Sequence, residues 1–233
     1  MAKQGRPRKG QCAYCGEHGH VTRDHVVPRC LFPRPLPAEM VTVPACGGCN
    51  SRKARHDDFL RDLLTSDLAG GESPIAQKIF QEKVLSSNRK GKSLLARIAL
   101  EEARETPIIT KAGLYLGECY VVTFDLDRTI EMFTFIVRGL YYRLREIILP
   151  ADCKIDVRRL LGKDVETWWG SFEEHGFNGP YAIGKGVFWC AYQYAARDDA
   201  ISCWMLAFYD RVFYRVVTTP ADFEWKKDAE DAA

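Results

Sequence analysis

Residues 12–50 read CAYCGEHGHVTRDHVVPRCLFPRPLPAEMVTVPACGGCN, and the fold of the first part of the chain turns on its paired cysteines. Cys12/Cys15 and Cys46/Cys49 form two C-x-x-C pairs. Each short pair can wrap one side of an ion while the connecting segment closes a tetrahedron of thiolates, the arrangement that suits Zn2+. A segment of this size cannot bury enough apolar surface to fix its own backbone, whereas a structural zinc contributes roughly 10 kcal/mol of apparent binding energy to folding. Between the pairs stands Asp24-His25, with Pro28 three residues beyond the histidine; Asn50 follows the last cysteine directly, and Lys53 comes three residues later.

This ordered set, over about residues 12–64, resembles the HNH, or ββα-metal, endonucleases, especially the branch with a four-cysteine zinc site that includes endonuclease VII-like enzymes. The resemblance implies that Asp24 and Asn50 give oxygen ligands to a catalytic Mg2+ or Mn2+, hard donors suited to a hard cation that keeps part of its hydration. It implies that His25, turned away from Asp24 if the two lie on an extended strand, takes the proton of an attacking water. Duplex DNA is the implied substrate, cut to a 5′ phosphate and a 3′ hydroxyl. Without Asp24, His25 and Asn50, the cysteines would equally describe zinc ribbons, treble clefs or RING-like modules. The alternative is therefore a non-catalytic zinc-dependent nucleic-acid-binding or protein-interaction module.

Neighbouring side chains sort by position. His18 and His20 read as exposed loop residues rather than zinc ligands, since four cysteines already fill the tetrahedron. If Asn50 opens a continuous helix SRKARHDDFLRDLL, His56 lies about 120° off the Asn50 face and does not share its metal. Lys53 and Asp57 do share that face. Lys53 and Arg52 are expected to contact DNA phosphates, and Asp57 to be a solvated charge.

Charge is distributed to the same end. The whole chain carries +2. Residues 1–56 hold ten Lys/Arg against Glu17, Asp24 and Glu39, so 10 − 3 = +7, and the remainder is 2 − 7 = −5. Only the first part can steer toward a polyanion. Its start, AKQGRPRKG, has a Gly5-Arg6-Pro7 core resembling an AT-hook; Arg6 and Arg8 either enter a minor groove or touch phosphates without reading sequence.

Length and composition, 233 residues at 46% hydrophobic with no membrane-crossing run, describe a soluble globular chain. Cys30, Cys119, Cys153, Cys190 and Cys203 are scattered and odd in number, as buried thiols of a reducing cytoplasm would be. The expected fold class is α+β. A basic arm over 1–11 precedes a zinc-stapled module over 12–70; a helical connector over 71–105 leads to an α+β domain with an antiparallel sheet over 106–225. Ser73-Pro74 reads as the start of one connector helix, and LLARIALEEARE as a second. GECYVVTFD reads as a strand, and Asp127 as the cap of a helix running to about Glu146. GVFWCAYQYA, AISCWMLAFYD and RVFYRVVT read as an antiparallel meander. Trp168, Trp169, Trp189 and Trp204 are assigned to the core rather than to base stacking. This acidic domain is expected to supply specificity, a homo-oligomer contact or a protein partner.

Overall fold

The computed structural model describes residues 8–67, 69–86, 104–110, 112–121 and 125–224. The arm with Gly5-Arg6-Pro7 and most of LLARIALEEARE lie outside them; the last two residues of that run, Arg104 and Glu105, open a strand instead.

The first part is a three-stranded antiparallel sheet in the order β1 (Arg8–Gln11), β2 (His18–His25), β3 (Thr42–Cys46). Helix α1 (Gly47–Ala54) leaves directly from β3. It does not run on as one continuous helix from Asn50. It begins three residues earlier and breaks at Arg55–His56, and α2 (Asp57–Ser66) follows as a separate helix. Phe59, Leu60, Leu63 and Leu64 give α2 its buried face at helical spacing. Pro74 opens α3 (Pro74–Ile79), where its missing N–H costs nothing, but the Ser73 hydroxyl makes no cap bond. A hairpin of β4 (Arg104–Ile109) and β5 (Tyr115–Val121) follows.

The long helix α4 (Leu126–Arg145) is capped two residues earlier than the sequence suggested: Asp125 Oδ1, not Asp127, accepts from the Arg128 N–H at 3.0 Å. The meander is as expected, and β6 (Lys154–Leu160) joins β7 (Asn178–Ile183), β8 (Phe188–Ala195), β9 (Asp198–Phe208) and β10 (Val212–Thr219) in a sheet ordered β6-β10-β9-β8-β7. Helix α5 (Lys163–His175) covers part of its outer face. The fold class is α+β.

Alternation along β8 sorts the two faces: Phe188, Cys190 and Tyr192 point to the α4 side, and Trp189 and Ala191 to the α5 side. Trp204 is fully buried on the α4 side, stacked on Tyr192 at 4.5 Å with its Nε1 donating to Ser202 Oγ at 2.7 Å.

Helix α4 is buried on two sides. Phe133 packs on Phe208 and Tyr214 of the sheet, and Phe135 meets Tyr14 of the cysteine module edge-on at 5.0 Å. Gly139 lets the module approach: a Cβ there would lie 2.9 Å from both Val26 methyls. The segment between β2 and β3 reaches the sheet itself, where the buried Tyr209 hydroxyl donates to the Leu31 carbonyl at 3.1 Å. One apolar core thus runs without a break from Cys12 to Val216.

Candidate metal centre and strand–helix seam

The Sγ atoms of Cys12, Cys15, Cys46 and Cys49 all lie within 4.8 Å of one another. All four cysteines are free thiols. Around a Zn2+ with Zn–S of about 2.3 Å, tetrahedral sulfurs stand about 3.8 Å apart, close to the 3.9 Å between Cys15 and Cys46. Two backbone devices bring them together. After β1, Gly16 at φ 78° turns the chain back, and its N–H bonds the Cys12 carbonyl at 2.9 Å. After β3, Cys46 is the N-cap of α1, its sulfur accepting from the Cys49 N–H at 3.4 Å, while Cys12 Sγ accepts from the Cys46 N–H at 3.3 Å. Burial opposes ionisation of Cys12, but backbone bonds from Cys46, Cys15 and Tyr14 outweigh it and lower the thiol's pKa, whereas burial and the neighbouring cysteines raise those of Cys15 and Cys49. N–H groups aimed at sulfur suit thiolates, so the donor set fits a bound metal ion such as zinc. His18 and His20 stand exposed on β2 and are not part of the cluster.

Next to this cluster, β2 and α1 face each other across a seam. Asn50 Nδ2 donates to Thr22 Oγ1 at 3.1 Å. Asp24 is two residues further along β2 and therefore on the same strand face. Asp24 Oδ2 accepts from the Tyr14 hydroxyl at 2.7 Å. Burial and the Asp24 charge hold Tyr14 well above the usual phenol range, so it remains a donor. His25 alternates to the opposite face and is half-buried. Burial, then the charge of Arg29, push its pKa down against the smaller pull of Asp24, leaving the ring neutral at pH 7.

Of the two expected phosphate contacts on α1, Lys53 needs correction. Lys53 is 1% exposed; its Nζ donates to the His25 carbonyl at 2.8 Å and stands 3.5 Å from both Asp24 Oδ2 and Asp57 Oδ1. A side chain on the Asn50 face of α1 points into the seam, so Lys53 meets carboxylates rather than solvent. Asp57 belongs to the same network: burial raises its pKa, and Lys53 opposes that. Arg52 remains half-exposed but is paired with Glu131 of α4 at 2.9 Å and lies over the Phe135 ring at 5.2 Å. His56 bonds the other oxygen of Glu131 at 3.1 Å. Arg8 is exposed at the start of β1.

Several contributors escaped the sequence reading. Tyr14, Thr22 and Glu131 are found only through their partners. Arg23, exposed on β2, lines with Arg8, Thr22 and Thr42 an open cleft of about 730 Å3. Arg138 of α4 is buried and donates to the carbonyls of Tyr14, Leu149, Pro150 and Ala151 at 2.7–3.2 Å. An isolated arginine on an apolar helix face was the available signal. Among the described residues no helix is long and apolar enough to cross a membrane.

No family model, curated protein or solved structure matches this chain.

Proposed function

We propose that the chain is a metal-dependent endonuclease of the HNH, ββα-metal, type, hydrolysing phosphodiester bonds of duplex DNA, with zinc held by Cys12, Cys15, Cys46 and Cys49. The observation that carries this reading is the seam itself. A β-hairpin followed by a helix brings the Asp24 strand face against Asn50, while His25 leaves the same strand on its other side. Charge supports it too: Asp24 and Asp57 against Lys53 leave −2 + 1 = −1 at the seam, a residual negative charge that attracts a cation.

Asp24 and the Asn50 carbonyl oxygen would hold Mg2+ or Mn2+, which when bound would neutralise phosphate charge and stabilise the leaving 3′ oxygen. The chain's own residues do the rest. Thr22 fixes the Asn50 amide so that its nitrogen is engaged and its oxygen is the atom left for a ligand. Tyr14 and Lys53 orient Asp24 by engaging Oδ2. His25 accepts the proton of the attacking water through a neutral imidazole. Arg8 and Arg23 line the neighbouring cleft and supply phosphate contacts.

The non-catalytic alternative has one observation in its favour, since the engagement of Asp24 Oδ2 would equally serve a purely structural carboxylate. Incubating zinc-loaded protein with supercoiled plasmid and Mg2+ or Mn2+ separates the two. Nicking abolished by Asp24→Ala, with zinc content retained, supports the enzyme. Duplex binding with no nicking supports the alternative.

A further inference from the structure

Helix α5 leaves part of the outer sheet face open as a groove of about 430 Å3. Its walls are Val165 and Trp169 of α5, Trp189 of β8, Met205 of β9 and Phe213 of β10, with the exposed Glu166 alongside. The rings stand steeply to one another: Trp169 and Trp189 meet at 79° with centroids 5.8 Å apart, and Trp189 and Phe213 at 65° and 6.1 Å. Trp204, by contrast, is core. Both indole N–H groups are already committed to carboxylates, Trp169 to Glu173 at 2.7 Å and Trp189 to Asp210 at 3.1 Å.

We propose that this groove binds an alkylated ammonium group, a methylated or quaternary amine. With their N–H edges held by carboxylates, the indoles offer electron-rich faces, and a cation over such a face is attracted by the ring quadrupole. Methyl groups on the nitrogen thin its hydration, so it enters an apolar cage at a lower desolvation cost than a bare ammonium. Glu166, Glu173 and Asp210 add negative charge around the rings, and none of the groove's lining residues is a lysine or arginine. Arg211, next to Asp210, is paired with Glu72 instead. The same carboxylates repel a phosphodiester, which sets this groove apart from a base-stacking surface. The inference stands independently of the nuclease reading.

The test is a calorimetric and tryptophan-fluorescence titration of the full, zinc-loaded chain. Its probes are choline, the neutral isostere 3,3-dimethyl-1-butanol, and a trimethyllysine peptide with its unmethylated counterpart. Saturable binding of choline is expected, at least about tenfold tighter than its isostere, because the positive charge supplies the cation–π term. Trp169→Leu should weaken it about tenfold and the exposed Glu166→Gln about threefold, each with a native far-ultraviolet dichroism spectrum and a cooperative melt above the assay temperature as the folding control. If Trp169→Leu does not fold, Glu166→Gln and the isostere comparison still decide. Tighter binding of the methylated peptide than of choline would assign the ammonium to a protein; the reverse would assign it to a small molecule. Equal binding of choline and its isostere, or no saturable binding by either choline or the methylated peptide, would overturn the proposal.

Discussion

Arg138 Nη1 lies 3.2 Å from the carbonyl oxygen of Tyr14, so a guanidinium of the long helix is bonded into the loop between the first two cysteines. Its other bonds go to the carbonyls of residues 149–151 beyond the end of α4. A single buried cation therefore ties the loop between Cys12 and Cys15 to the part of the chain that leads into the sheet. Its positive charge also acts on Cys153, Cys49 and Cys15, the last two belonging to the cysteine cluster.

Replacing it tests that bracing. Arg138→Met should cost roughly 3 kcal/mol in a urea melt, because the carbonyls of Tyr14 and Leu149, in buried hydrogen bonds, and the part-buried ones of Pro150 and Ala151 lose a charged donor. Zinc should also exchange faster with a chelator. An unchanged melt would show that the carbonyls find other partners and that the bracing is dispensable.

Gly139 gives a second, steric test of the same packing. Gly139→Ala would gain roughly 0.5–1 kcal/mol of helix propensity in isolation, but its methyl would meet Val26 at 2.9 Å. The net expectation is destabilisation by about 1–2 kcal/mol. Adding Val26→Ala removes the clashing methyls, so the double mutant should lose less than the sum of the two single mutants. Strict additivity would mean that the two side chains do not meet in solution.

Lys53 separates a structural cation from a phosphate contact. Lys53→Met leaves Asp24 and Asp57 facing each other without their shared ammonium, and should destabilise the chain by roughly 2–3 kcal/mol in a denaturant melt without divalent metal. A phosphate contact would instead leave stability unchanged and lower the salt dependence of DNA binding.

What the sequence made legible follows the reach of local rules. Cys12, Cys15, Cys46 and Cys49 could be read at once because a C-x-x-C spacing constrains geometry within one turn. The runs 186–195, 200–210 and 211–218 could be read because apolar and aromatic strands announce themselves. The break at Arg55–His56 could not be read from helical spacing; the residues on either side of Arg55 meet a distant partner, with Glu131 of α4 bonding both Arg52 and His56. β6, with the sequence KIDVRRL, was hidden because it is an edge strand bearing charges. The burial of Lys53 was invisible because helical angle places it on the Asn50 face, but only the hairpin's position decides whether that face meets solvent or two carboxylates. Trp204 is in the core as expected, whereas Trp169 and Trp189 border an open groove.

The metal cluster and the shared core make a joint prediction. Cys46→Ser should lose zinc, since three thiolates with an open position do not close a structural site. Because the apolar core runs continuously from Cys12 to Val216, the loss should lower the melting temperature of the sheet's tryptophan signal as well. Two separate transitions, with the sheet unaffected, would show that the module melts by itself.

The central claim is catalysis at the seam, and nicking of supercoiled plasmid by zinc-loaded protein in Mg2+ or Mn2+ tests it most directly, with His25→Ala as the paired sample. The wild type should convert supercoiled to open circular DNA only when divalent metal is present. The His25→Ala protein should bind zinc and duplex as the wild type does and nick at least about a hundredfold more slowly, the low end of what a general base contributes. Undiminished nicking by folded His25→Ala protein, or none by zinc-loaded wild type with either metal, would contradict the account.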